Sequence, residues 1–69
     1  MDIRRQVGLN VKRFRRQKGW SQEELAFECE LHRTYISGVE RGVRNPTVLA
    51  LKKIATALRI EPARLLDRK

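Results

Sequence analysis

Apolar residues recur along this chain at helical spacing. Ile3, Val7, Val11 and Phe14 step by four, four and three positions, which sets them on one face of a helix. Asp2 can cap its start, and Gly19 can end it in a left-handed turn. Ser21 and Glu24 then form a capping box closing over Leu25 and Ala26, which predicts a second, short helix ending near Cys29. Glu30, Leu31 and His32 read as a turn. A third helix is expected from about Arg33 to Arg41, with Ile36 and Val39 inward and Gly42 as its stop. Asn45 and Pro46 mark a loop, and Thr47 can cap a fourth helix. There Val48, Leu51, Ile54, Ala55 and Leu58 form one stripe. Pro62 suits the first turn of a fifth helix carrying Leu65 and Leu66. No segment alternates with period two, so no sheet is predicted. The expectation is an all-α, compact five-helix domain spanning residues 1–69.

Helices two and three carry the chemistry. Each spans about two turns, and three residues separate them, which is the layout of a helix-turn-helix. On a wheel of 100° per residue, Ile36 and Val39 centre the buried side of helix three. Arg33, Thr34, Ser37, Gly38 and Arg41 face away. None of these five is a large apolar residue, so the surface can enter a major groove without obstruction. Arginine can bind guanine O6 and N7 bidentately, and threonine can touch a thymine methyl or a base edge. Gly38 costs roughly 1 kcal/mol relative to alanine inside a helix. Two readings stand: close approach of the helix to DNA, or a position that merely tolerates glycine.

Composition points the same way. The chain has 69 residues, with 16 Lys and Arg against 8 Asp and Glu, for a net charge of +8. A single domain this small buries only about 60% of the surface its unfolded chain exposes, which excludes most multidomain enzymes and favours self-association. The positive excess implies an anionic partner. Residues 1–20 hold seven bases and one acid, residues 21–40 one base and five acids, and residues 41–69 eight bases and two acids. Cys29 is the only cysteine, so no internal disulfide forms, and a reducing, cytoplasmic setting is expected. The longest wholly apolar run, residues 48–51, is too short for a membrane span.

The stretch Ser21-Gln22-Glu23-Glu24-Leu25-Ala26, followed by Thr34-Tyr35-Ile36-Ser37, Glu40-Arg41-Gly42 and Asn45-Pro46-Thr47, resembles the lambda-repressor/Cro (xenobiotic-response-element) helix-turn-helix family. The run from Leu31 to Ser37 looks most like the controller proteins of restriction–modification systems. The resemblance covers about Val7 to Leu66. It implies a lambda-repressor-like fold that places helix three in the major groove. By the same resemblance Arg33, Thr34, Tyr35 and Ser37 read bases, and Gln22, Arg41, Arg44 and Asn45 hold phosphates. Arg15 would pair with Glu40 as a structural ion pair. Three positions depart from the family pattern. Glu30 stands where glycine is usual, and His32 and Glu61 stand where Ser or Asp would cap helices three and five.

Duller readings accompany several features. Helix one is basic (Lys12, Arg13, Arg15, Arg16, Lys18) and could lie on a membrane, but its apolar stripe is the one a bundle core needs. Cys29 and His32 have metal-ligand spacing without a second Cys or His to complete a site, so no metal and no cofactor is expected. They lack an orienting third group for nucleophilic catalysis, so no enzyme is expected either. Trp20 reads as a plug between helices one and two rather than a stacking platform. Leu49 lies off the core stripe of helix four. It is either simply exposed or part of a dimer patch with Arg59, Ile60, Pro62 and Leu65.

A homodimer reading two half-sites about 34 Å apart would select a roughly palindromic operator. The expected function is therefore a sequence-specific DNA-binding transcriptional regulator with double-stranded DNA as its partner. It needs no small-molecule ligand or membrane, and could autoregulate as a controller protein. The alternatives are an antitoxin that binds DNA and masks a toxin, or a basic adaptor for acidic proteins or membranes.

Overall fold

The computed structural model describes residues 2–68, and all regular structure among them is helical. Helix α1 spans Ile3–Gln17, α2 Gln22–Cys29, α3 Arg33–Glu40 and α4 Val48–Leu58. The expected fifth helix is instead a 3₁₀ turn, Pro62–Leu66. Its five residues are too few to sustain an α-helical ladder, and Glu61 provides no side-chain cap.

The N-termini form as their sequences specify. The Asp2 carboxylate accepts from the Arg4 amide at 2.7 Å. Ser21 Oγ accepts from the Glu24 amide at 3.0 Å, while Glu24 Oε1 accepts from the Ser21 amide at 2.7 Å. Thr47 Oγ1 accepts from the Ala50 amide at 3.0 Å. Each cap satisfies a donor that the helix itself cannot. At α3 the His32 side chain makes no capping bond.

All four α-helices end in the same way. Beyond each helix one residue turns left-handed, directly after α2 and α4 and one residue later after α1 and α3, and the amide that follows it reaches back five residues: Trp20 to the Arg15 carbonyl, Leu31 to Ala26, Val43 to Gly38 and Ile60 to Ala55. This is the Schellman arrangement, and all four reaching residues are apolar. Glycine occupies the left-handed position after α1 and α3, with φ of 74° at Gly19 and 76° at Gly42. After α2 and α4 it is Glu30 and Arg59, with φ of 59° and 61°. Glu30, which stands where glycine is usual, therefore holds a backbone conformation that disfavours a side chain, and Arg59 is a second site of the same kind.

The core gathers one face of each element: Val11 from α1, Leu25 from α2, Ile36 and Val39 from α3, Ile54 from α4 and Leu65 from the 3₁₀ turn. Leu65 is 0% exposed, so its assignment to a dimer surface is wrong; it closes the bottom of the monomer core. Helix α1 lies across α3 at Gly8, which is buried. A methyl there would collide with the Val39 carbonyl and stand 2.8 Å from the Glu40 carbonyl, so the crossing requires a residue without Cβ. Asn10, also buried, donates through Nδ2 to the carbonyls of Leu65 and Asp67 at 2.8 and 2.7 Å, tying the C-terminal turn to α1. Ile3, Val48 and Leu66 are exposed although periodicity put them on apolar stripes or paired them with Leu65. Ile3 and Val48 are the first residues of their helices, where no neighbouring element reaches them.

Relieving the left-handed strain should stabilise the fold. Glu30→Gly is expected to gain about 1 kcal/mol, which corresponds to about 4–8 °C in Tm for a domain of this size. Thermal denaturation followed by circular dichroism checks this. A Tm at or below that of the parent chain would mean that Glu30 bears no such strain.

Candidate nucleic-acid interface

Helices α2 and α3 are joined by the left-handed Glu30 and the extended His32. That turn presents one side of α3 to solvent. Arg33 and Thr34 are exposed at its first turn, and Arg41 is exposed just beyond its end. Ser37 and Tyr35 are half-buried beside them. The loop following α3 folds back so that Thr34, Arg41, Arg44 and Asn45 border one shallow polar concavity, with Val43 at its rim. Two guanidinium groups, a hydroxyl and an amide thus line one depression, which suits an anionic, hydrogen-bonding partner.

An ion-pair network holds α3 in place. Arg15 Nε donates to Glu40 Oε2 at 2.6 Å and Arg15 Nη2 to Glu40 Oε1 at 3.0 Å, with the two side chains only 10% and 3% exposed. The third arm of the guanidinium, Nη1, donates to the Trp20 carbonyl at 2.7 Å. Gln22 Nε2 donates to Glu40 Oε1 at 3.0 Å. One carboxylate therefore links α1, α2 and α3. Gln22 has one amide N–H committed to Glu40, so only its second N–H and the backbone amides at the start of α2 remain for a phosphate. This bridge was not foreseen from the sequence, because it joins residues 18 positions apart.

Tyr35 serves the loop as well as the helix face. Its hydroxyl accepts from the Thr47 amide at 3.3 Å, and the Arg44 guanidinium stacks over its ring with 4.9 Å to the centroid. Gly38, placed on the outward face by the wheel, is buried because Arg44 covers it. The wheel describes α3 alone and takes no account of a loop that returns across it.

Other singled-out residues resolve as structure. Cys29 is buried against the core, and desolvation pushes its thiol above the ordinary range. His32 is exposed in the turn. Trp20 is half-buried on the core with the Lys18 ammonium 5.3 Å from its ring centroid. The stripe Val7, Val11 and Phe14 is buried, so the main apolar face of α1 is spent on the core, while Ile3 and Leu9 stay exposed. No helix among the described residues is long and apolar enough to cross a membrane. Of the remaining dimer candidates, Leu49, Arg59 and Pro62 are exposed, and Ile60 is half-buried against the core.

Residues 11–65 match the model of a family described as helix-turn-helix. The chain belongs to the helix-turn-helix family. Its relatives in that family include the control protein C.BamHI of Bacillus amyloliquefaciens, 51% identical over 67 residues, covering 96% of this chain and 83% of that protein. The fold matches the restriction–modification controller protein C.AhdI of Aeromonas hydrophila with a TM-score of 0.87 at 47% identity, over 90% of this chain and 94% of that one. It also matches the controller protein C.Esp1396I, solved as a tetramer in complex with its natural 35 base-pair operator. That TM-score is 0.85 at 37% identity, over 94% of this chain and 86% of that one. In this helix-turn-helix chain, α2 and α3 are the two motif helices.

Breaking the Arg15–Glu40 pair from one side should destabilise this assembly strongly. Arg15→Ala leaves a buried carboxylate unpaired and is expected to cost about 3–5 kcal/mol. Arg16→Ala, one residue on and exposed, should stay within about 0.5 kcal/mol. Urea unfolding of both variants distinguishes them, and similar losses at the two positions would remove the pair from its anchoring role.

Proposed function

We propose that this chain is a sequence-specific DNA-binding transcriptional regulator that binds a roughly palindromic operator as a homodimer. In this reading it acts as an autoregulating controller protein of a restriction–modification system. The observation that carries the proposal is the outward face of α3. It offers exposed Arg33 and Thr34 beside the concavity of Arg41, Arg44 and Asn45, on a helix whose rear is locked by Glu40. Side chains held on a rigid element can select among bases, whereas a flexible basic segment would bind any duplex. The relatives named above support the same reading, as C.Esp1396I occupies an operator.

Arg33 and Thr34 take the base-reading role, with Tyr35 and Ser37 at their flank. Arg41, Arg44, Asn45 and the free N–H groups of Gln22 hold the phosphates that fix the register. Leu49, Arg59, Ile60 and Pro62 form the dimer patch, now without Leu65. One α3 touches too few base pairs to define a genomic site. A two-fold pair reads two half-sites one helical turn apart. Placement of the operator across a promoter then decides whether polymerase is blocked or recruited. The surplus of eight positive charges raises the encounter rate with any duplex but carries no sequence information.

Selection of bound sequences from a random duplex pool at near-physiological salt tests this directly. The expected result is an enriched palindrome with half-sites about 34 Å apart. On that operator Arg33→Ala should lose about 1–3 kcal/mol and relax one base position. Arg44→Ala should weaken all sequences alike and reduce the salt slope by about one unit per protomer. Salt-sensitive binding with no enriched sequence would overturn the operator reading.

A further inference from the structure

A glycine inside α3 has a neighbour that explains it. Gly38 is buried, and a Cβ built on it would stand 3.3 Å from Arg44 Cβ, 3.5 Å from its Nε and 3.9 Å from its Cδ. The Arg44 side chain therefore lies along the helix so close that a methyl would crowd its Cβ and touch the rest of it at van der Waals distance. Its backbone is fixed at the same place. The Gly38 carbonyl accepts from the Arg44 amide at 3.2 Å and from the Val43 amide at 3.1 Å. The far end of Arg44 is fixed by the Tyr35 ring, which is itself held through its hydroxyl by the Thr47 amide. Backbone tether, bare helix surface and aromatic stack thus define one conformation for a long, otherwise exposed cation.

Resting on the DNA-binding reading above, we propose that Gly38 is a positioning residue for operator binding, acting through Arg44 and making no contact with DNA. The physical ground is ordering. A free arginine must surrender its rotamers when it grips a phosphate or a base, whereas one already laid on Gly38 and Tyr35 has little left to lose. Glycine's low helix propensity is a cost accepted in exchange for that seat. Alanine at this position improves the helix and pushes Arg44 off it by a few tenths of an ångström at Cβ, against a backbone tether that holds Arg44 close. Fold stability and operator affinity should therefore move in opposite directions.

The test compares Gly38→Ala, Arg44→Ala and the double variant with the parent chain. The Arg44 Nε–Hε resonance, recorded without DNA, should carry a ring-current shift from Tyr35 in the parent and lose it in Gly38→Ala. Tm should be unchanged or raised in Gly38→Ala. Affinity for the selected operator should fall about threefold to tenfold per half-site, with the salt slope kept because the charge is kept. In the Arg44→Ala background the Gly38→Ala change should have no effect on affinity. An equal loss in both backgrounds would show that Gly38 meets DNA itself and would overturn the proposal. Unaltered affinity in Gly38→Ala, or an Arg44 resonance without a ring-current shift in the parent, would overturn it as well. A parent chain that selects no operator would overturn the DNA reading, a failure visible in the pool selection and separate from the spectrum of the free protein.

Discussion

The arrangement of the three N-terminal helices depends on the buried Glu40 carboxylate and the guanidinium that meets it. Glu40 leaves the end of α3, and Arg15 approaches from the last turn of α1. Gln22 adds a bond from the start of α2, and the Trp20 carbonyl takes the remaining arm of Arg15 from the turn between α1 and α2. Apolar contacts tolerate sliding and rotation of one helix on another. A planar fork on a carboxylate does not, because both donors must align at once. Two charges withdrawn from water add little net stability over an apolar pair of equal volume, and their value lies in fixing one geometry. For a protein that must present a few side chains in register, fixed orientation of α3 matters more than a kcal/mol of core.

The chain reverses four times with very short connections, and the helix ends carry the burden. A repeated device closes them: a left-handed residue, a backbone bond reaching back five residues, and an apolar side chain at the reaching position. Trp20, Leu31 and Ile60 pack against the core from those positions, so each turn adds to the core as it reverses the chain. Val43 is the exception. It stays exposed at the rim of the concavity beside Arg44, because the loop after α3 folds over the outer face of that helix and away from the core. The same closing motif builds the scaffold at three ends and shapes the interface at the fourth.

Local chemistry was the most legible part of the sequence. The Ser21–Glu24 box, the Asp2 and Thr47 caps and the left-handed Gly19 depend on residues a few positions apart, and each appears as the pattern predicts. The Arg15–Glu40 pair came through resemblance, since a separation of 25 positions puts it beyond any local rule. What could not be read were the effects of elements folding over one another. Leu65 looked like a surface residue on a fifth helix until the 3₁₀ turn swung it beneath α1 and α4. Gly8 carried no signal, although α1 cannot cross α3 without it. Gly38 looked open on the wheel because a wheel has no return loop. Arg59, read only as a candidate for the dimer patch, is a left-handed helix terminus whose backbone was invisible without the apolar Ile60 being read as the reaching residue.

Charge placement completes the division of labour. Glu40 is cancelled by Arg15 inside the protein, so it does not repel a phosphate backbone near α3. Glu23 and Glu24 occupy the first turn of α2, where unpaired amides and the helix dipole favour anions, and Glu24 is further engaged in the cap. The acids of the middle segment are thus largely spent on structure, though Glu28 and Glu30 remain exposed at the far end of α2. The basic residues on and beside the outward face of α3, Arg33, Arg41 and Arg44, stay exposed, and Arg44 is shaped by Tyr35 and Gly38 rather than by a carboxylate. A cation stacked on an aromatic ring keeps its full charge and its hydrogen-bond donors, whereas one in a salt bridge would have to break it before gripping DNA. Holding the interface cation by stacking and steric fit, and the interior cation by an ion pair, gives each the constraint that suits its task.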